Sequence, residues 1–92
     1  MTSDLLKESY LIHPAVKYLK KYDKKNKTNY LETLREYLNC ALNTTEAVDR
    51  LFIHRNTLYY RLKKIEELCE IDLTDMPTIV CLYFAIANEN LI

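Results

Sequence analysis

In 92 residues this chain contains no glycine and only two prolines, Pro14 and Pro77. Tight hairpin turns need backbone at positive φ, which glycine supplies without steric cost, so a chain lacking it is poorly suited to the strand reversals of an all-β fold. Helices need few such positions, and each proline here stands near a helix start. The expectation is an all-α domain. A chain of 92 residues suffices for one small domain, which buries roughly 60 to 70% of the surface its unfolded form exposes. A hydrophobic share of 49% is that of a globular rather than a disordered chain.

Apolar periodicity predicts about five helices. The first starts at Pro14, with His13 as its local cap and Val16, Leu19 and Tyr22 facing inward. The stretch "DKKNKTN" reads as a polar, basic loop, with Asn29 as N-cap and Glu32 completing a capping box. The second helix puts Leu31, Leu34, Leu38 and Ala41 on one stripe. Asn43 and Glu46 open a third, two-turn helix whose inner side carries Ala47, Val48 and Leu51. His54 then caps a long fourth helix from Arg55 to about Glu70, with Leu58, Leu62, Ile65 and Cys69 inward. Asp75 or Thr74 caps a last helix beginning near Pro77. There Ile79, Leu82, Tyr83 and Ile86 alternate with Val80 and Phe84, making it apolar nearly all round. Such a helix is either the central staple of the domain or half of a subunit contact. Residues 1–12 read as a tail or the end of an upstream element, and residues 13–92 as the domain.

The formal net charge is zero, but the charge is polarised along the chain. Residues 1–64 hold all thirteen Lys and Arg against seven acids, a net +6, whereas residues 65–92 hold six acids and no Lys or Arg. One face is thus suited to a polyanion and another is turned away from it. Cys40, Cys69 and Cys81 are odd in number, lie in apolar surroundings and show no ligand-like spacing. They read as buried thiols in a reducing compartment, with no metal or other cofactor implied. No apolar run nears the ~20 residues needed to span a bilayer, and no leader pattern opens the chain, so a soluble, cytoplasmic protein with no membrane partner is expected.

The densest basic stretch is "IHRNTLYYRLKKI", residues 53–65, which with Arg50 just upstream carries five cations and no carboxylate. A helix-turn-helix needs a short first helix, a tight turn and a second helix with an open face, and a motif at about residues 44–70 supplies all three. At 100° per residue, the face opposite Leu58, Leu62 and Ile65 holds Asn56, Tyr60, Lys63, Lys64 and Glu67, with Thr57 beside it. Arg55 and Asn56 fall in the first turn, where Arg reads guanine and Asn reads adenine by paired hydrogen bonds. Thr57 and Tyr60 suit a phosphate or a thymine methyl, while Arg61, Lys63 and Lys64 suit flanking phosphates. His54 suits a cap or a phosphate donor. The six lysines from Lys17 to Lys27 suit backbone contact and plain solvation equally.

The run "LFIHRNTLYYRLKKIEEL" resembles the signature of the C-terminal helix-turn-helix domain of PucR/CdaR-type transcriptional regulators. Upstream, Tyr22, Asp23, Leu31, Thr33, Leu34, Tyr37 and Leu38 match the same domain's pattern, and "IDLTDMPTIVCLYFAIA" matches it downstream. The resemblance spans about residues 13–88. Phe52 stands at the turn position where glycine is common, and Val48 where a small alanine is usual. The resemblance implies a Fis-like helix-turn-helix that binds double-stranded DNA as the output domain of a longer bacterial-type regulator. It also implies a homodimer or higher oligomer in the full-length protein and no enzymatic activity. The alternative class is a helical dimerisation or protein-docking module, suggested by the apolar last helix.

Overall fold

The computed structural model describes residues 13–89; residues 1–12, read above as a tail or upstream element, lie outside the described residues. The chain forms five helices and, among the described residues, no strand: α1 (Pro14–Asn26), α2 (Tyr30–Asn39), α3 (Thr44–Leu51), α4 (Arg55–Cys69) and α5 (Met76–Glu89). The all-α expectation holds. Helix α2 is the hub and touches each of the other four, whereas α3 packs only on α2 and α4, and α5 only on α1 and α2. The central staple is therefore α2 rather than the last helix. Its Leu31, Leu34 and Leu38 meet Val16 and Leu19 of α1, Ala47 of α3, Leu58, Leu62 and Ile65 of α4, and Leu82 and Ile86 of α5 in one buried cluster.

Three helices end alike, and without glycine. Lys27, Phe52 and Glu70 each sit in the left-handed region, with φ of 54°, 56° and 53°. The amide of each returns to the carbonyl four residues back, on Asp23, Val48 and Glu66. The next amide, on Thr28, Ile53 or Ile71, donates to that same carbonyl at 3.1 to 3.2 Å. A side chain in this region costs roughly 1–2 kcal/mol against Cβ crowding. Hydrophobic burial just beyond the helix end offsets the cost twice, since Ile53 and Ile71 pack against the core. At the first ending Thr28 bonds to the Asp23 carboxylate instead.

Helix starts follow the sequence reading with one exception. His13 Nδ1 accepts from the Ala15 amide at 3.0 Å, Asn43 Oδ1 from the Glu46 amide at 3.0 Å, and His54 Nδ1 from the Asn56 amide at 3.1 Å. Asp75 rather than Thr74 caps α5, accepting from the amide and hydroxyl of Thr78 at 3.1 and 2.6 Å. The exception is α2: Asn29 occupies the cap position but its side chain makes no capping bond. Asp23, inside the segment expected to be a loop, is helical and reaches across to take the Tyr30 and Leu31 amides at 3.0 and 2.9 Å. One ionised carboxylate with three donors outcompetes a local amide for the same role. The connector shrinks accordingly to Lys27–Asn29.

Other departures follow from where helices stop and which way they turn. Helix α2 ends before Ala41, which with Leu42 adopts positive φ and lies exposed rather than on the buried stripe. Within α3, Ala47 is fully buried while Val48 is only half-buried. The three thiols are not alike: Cys40 is buried, Cys69 half-buried and Cys81 exposed, on the outward side of α5. Burial pushes the Cys69 thiol up to about 11. Tyr83 also faces outward on α5, in the company of Val80 and Phe84.

Candidate nucleic-acid interface

Helices α3 and α4 are joined by three residues, Phe52 to His54. Phe52 is 93% exposed, so its ring plays no part in the packing and only its left-handed backbone shapes the turn. The angle between the helices is set from inside, by Ala47, Leu58 and Leu62, with Val48, Leu51 and Ile53 closing around them. This apolar wedge commits the opposite side of α4 to solvent. Asn56, Tyr60, Lys63 and Glu67 are exposed there, Tyr60 by 64%, and Thr57 and Lys64 lie half-buried at its margins.

Each residue expected to meet DNA has a definite place. His54 is exposed at the α4 N-terminus. Its Nδ1 accepts the capping bond, so in the neutral ring Nε2 carries the proton and can donate outward. Arg55 is exposed, and its guanidinium donates to the Thr45 hydroxyl of α3 at 3.2 Å. Asn56, Tyr60 and Lys63 are open to solvent. Arg61 differs: it is half-buried and donates to the Thr33 hydroxyl of α2 at 3.2 Å. Thr33 is completely buried and donates in turn to the Asn29 carbonyl at 2.7 Å. Arg61 is thereby fastened to the hub helix as well as standing at the edge of the open face.

Arg50, counted with the basic stretch in the sequence, is drawn away from it. Its guanidinium pairs with Glu46 at 3.2 Å and with Glu36 at 3.9 Å. Among the described residues Arg55, Arg61, Lys63 and Lys64 make no salt bridge. A helix face with several cations and no ion pair carries a positive potential that an external polyanion lowers. Sequence reasoning missed the supports of this face: Asp23 as cap, Thr33 as anchor and Thr45 as hydrogen-bond partner. Asp23 and Thr33 each left a signal as positions of the matching upstream pattern, but without a role; Thr45 left none.

Among the described residues no helix is long and apolar enough to cross a membrane, and no group of three or more His, Cys, Asp or Glu could hold a metal ion.

Residues 30–87 match the PucR C-terminal helix-turn-helix domain. The chain is similar to three proteins of Bacillus subtilis strain 168. It is 46% identical over 65 residues to the proline-responsive transcriptional activator PutR, covering 71% of this chain and 16% of that protein. It is 38% identical over 73 residues to the DNA-binding transcriptional activator AdeR, covering 79% of this chain and 17% of that one. It is 42% identical over 62 residues to the purine catabolism regulatory protein, covering 67% and 12%. No solved structure matches. The chain thus spans at most 17% of the length of these relatives. With a matched region reaching from the first residue of α2 almost to the end of α5, and with α3 and α4 arranged as described, this chain belongs to the PucR C-terminal helix-turn-helix family.

Proposed function

We propose that this chain is the sequence-specific, double-stranded-DNA-binding output domain of a longer cytoplasmic transcriptional regulator, with no catalytic role of its own. The observation that carries this reading is the open face of α4, where unpaired cations flank a polar first turn. A helix carried this way enters the major groove with its N-terminal residues toward base edges and its later turns along the phosphates. Arg55 and Asn56 are assigned to bases, Thr57 and Tyr60 to a thymine methyl or phosphate, and His54, Arg61, Lys63 and Lys64 to backbone. Regulators of this build read paired half-sites, so the full-length protein acts as a homodimer or higher oligomer.

The test is a binding titration of the chain on duplex DNA at several salt concentrations. With about three to five phosphates neutralised, log K falls against log salt with a slope near −3 to −4.5. A slope of zero overturns the reading.

A second reading, self-association or docking, draws on the outward side of α5. Met76, Val80, Tyr83 and Phe84 are exposed beside an apolar groove of about 340 Å³ shared with Leu38, Ala41 and Leu42 of the α2 end. Sedimentation of the chain at high concentration tests it. A monomer assigns self-association of the regulator to other parts of the protein.

A further inference from the structure

We infer that the connector between α1 and α2, Lys27–Asn29, is a second DNA-backbone contact, gripping a phosphate flanking the groove that α4 enters. The inference rests on the DNA-binding reading and extends it to a segment outside the helix-turn-helix. Six lysines lie between Lys17 and Lys27, and the structure separates them. Lys17, Lys20, Lys21 and Lys24 share one patch of α1, and Lys21 and Lys25 border the stacked rings of Tyr18 and Tyr22. Lys27 stands against the recognition helix. With Thr28 and Asn29 it lines a recess of about 310 Å³ whose other side is Thr57, Tyr60 and Arg61. Lys27 and Arg61 border that recess, and the Asp23 carboxylate lies behind it, held by the Thr28 hydroxyl and the Tyr30 and Leu31 amides. With two cations and the Thr57 and Tyr60 hydroxyls beside the open face of α4, the recess suits an anionic oxygen group.

The local architecture holds this loop ready. Because Asp23 takes the Tyr30 and Leu31 amides and the Thr28 hydroxyl, the start of α2 is capped without Asn29. The Asn29 amide group and the Lys27 ammonium are exposed and, among the described residues, have no side-chain partner. The left-handed backbone at Lys27 and the paired amide bonds to the Asp23 carbonyl fix where the side chain departs. Little ordering is left for binding to impose, which favours contact by a short loop. The proximity is also electrostatic: the Tyr30 hydroxyl is held above its ordinary range first by burial and then by Tyr60 and Tyr22, with Arg61 opposing and Asp23 adding to the rise.

The experiment uses the 92-residue chain with a duplex that the chain itself selects from a random library and a scrambled counterpart. Lys27→Gln is expected to weaken both duplexes alike, about 3- to 10-fold at moderate salt, and to lower the salt slope by about one. Asn29→Ala weakens both alike, with the slope unchanged, since no charge is lost. Lys17→Gln, on the other patch of α1, is the control and leaves the slope within error of the parent. A scan with single neutral methylphosphonates locates the contact, because one position weakens the parent chain several-fold and adds nothing to Lys27→Gln. The inference is overturned if the Lys27→Gln slope equals the parent's, if Lys17→Gln matches Lys27→Gln, or if no methylphosphonate position is lost specifically in the variant. Those results leave the DNA reading standing so long as the parent chain binds and Asn56→Ala loses the selected duplex. A parent chain that binds neither duplex overturns both.

Discussion

Helices α4 and α5 are of nearly equal length, 15 and 14 residues, and each buries one apolar stripe against α2. Their open faces could hardly differ more. That of α4 carries Asn56, Tyr60, Lys63 and Lys64, while that of α5 carries Met76, Val80, Tyr83 and Phe84. Both helices give a buried stripe to the same core, so what distinguishes their binding chemistry lies on the outer faces. Hydrated cations exposed on a helix gain from neutralising phosphates, whereas exposed apolar groups gain from leaving water. A single small core thus displays two surfaces with separate physical appetites.

The sharpest test of the shared part is truncation within the stripes. Leu58→Ala and Leu82→Ala should each lower the unfolding free energy by about 2–5 kcal/mol, as expected when a fully buried leucine leaves a cavity, and denaturant melts check this. If one costs under about 1 kcal/mol, the two helices are not equivalent supports. The next effect breaks the symmetry of the open faces. Asn56→Ala should cost about 1–3 kcal/mol on a selected duplex and spare a scrambled one, whereas Phe84→Ser on α5 should leave both titrations unchanged. A third measurement separates neighbours on α4 itself. Arg61→Ala should destabilise folding by about 1–2 kcal/mol because buried Thr33 loses a charged partner, while Lys63→Ala should stay within about 0.5 kcal/mol of the parent.

Smaller effects test the helix ends. Burial holds the His13 imidazole below its ordinary 6.5, and its Nδ1 caps α1 only when unprotonated. The unfolded chain therefore binds this proton more tightly than the folded one. The stabilisation is complete above about pH 6.5 and drains away as pH falls below it through the folded value. His13→Asn, which retains a cap but does not titrate, should flatten that part of a melting-temperature profile. The smallest change expected is a gain: Phe52→Gly should stabilise by up to about 1 kcal/mol, because glycine relieves left-handed strain while loosening the unfolded chain.

Most of this architecture was legible because it is carried by period and by short-range capping. The stripes of Leu31, Leu34 and Leu38 and of Leu58, Leu62 and Ile65 announce their helices, and His13, Asn43 and His54 cap within three residues of themselves. What escaped acts at a distance. Asp23 caps a helix seven and eight residues onward, Arg61 bonds a hydroxyl twenty-eight residues back, and Thr45 holds Arg55 ten residues later. No local spacing encodes such partners, since they exist only once α2 has brought the other helices together. The outward turn of Tyr83 was hidden for another reason: on a helix apolar all round, periodicity offers no contrast to tell the inner side from the outer.

On the proposed assignment of Arg55 to a base, its bond to Thr45 turns recognition into an exchange reaction. A guanidinium that travels to a guanine must first release a hydroxyl, and what is gained is only the difference between the two partners. On a duplex lacking the right base, Arg55 has no reason to leave, and its resting state competes with every mismatched contact. Because that alternative is open on every duplex, it subtracts from the gain at the right base and compresses discrimination. Removing that alternative, as in Thr45→Ala, would raise affinity most for the correct duplex and widen the ratio between the two.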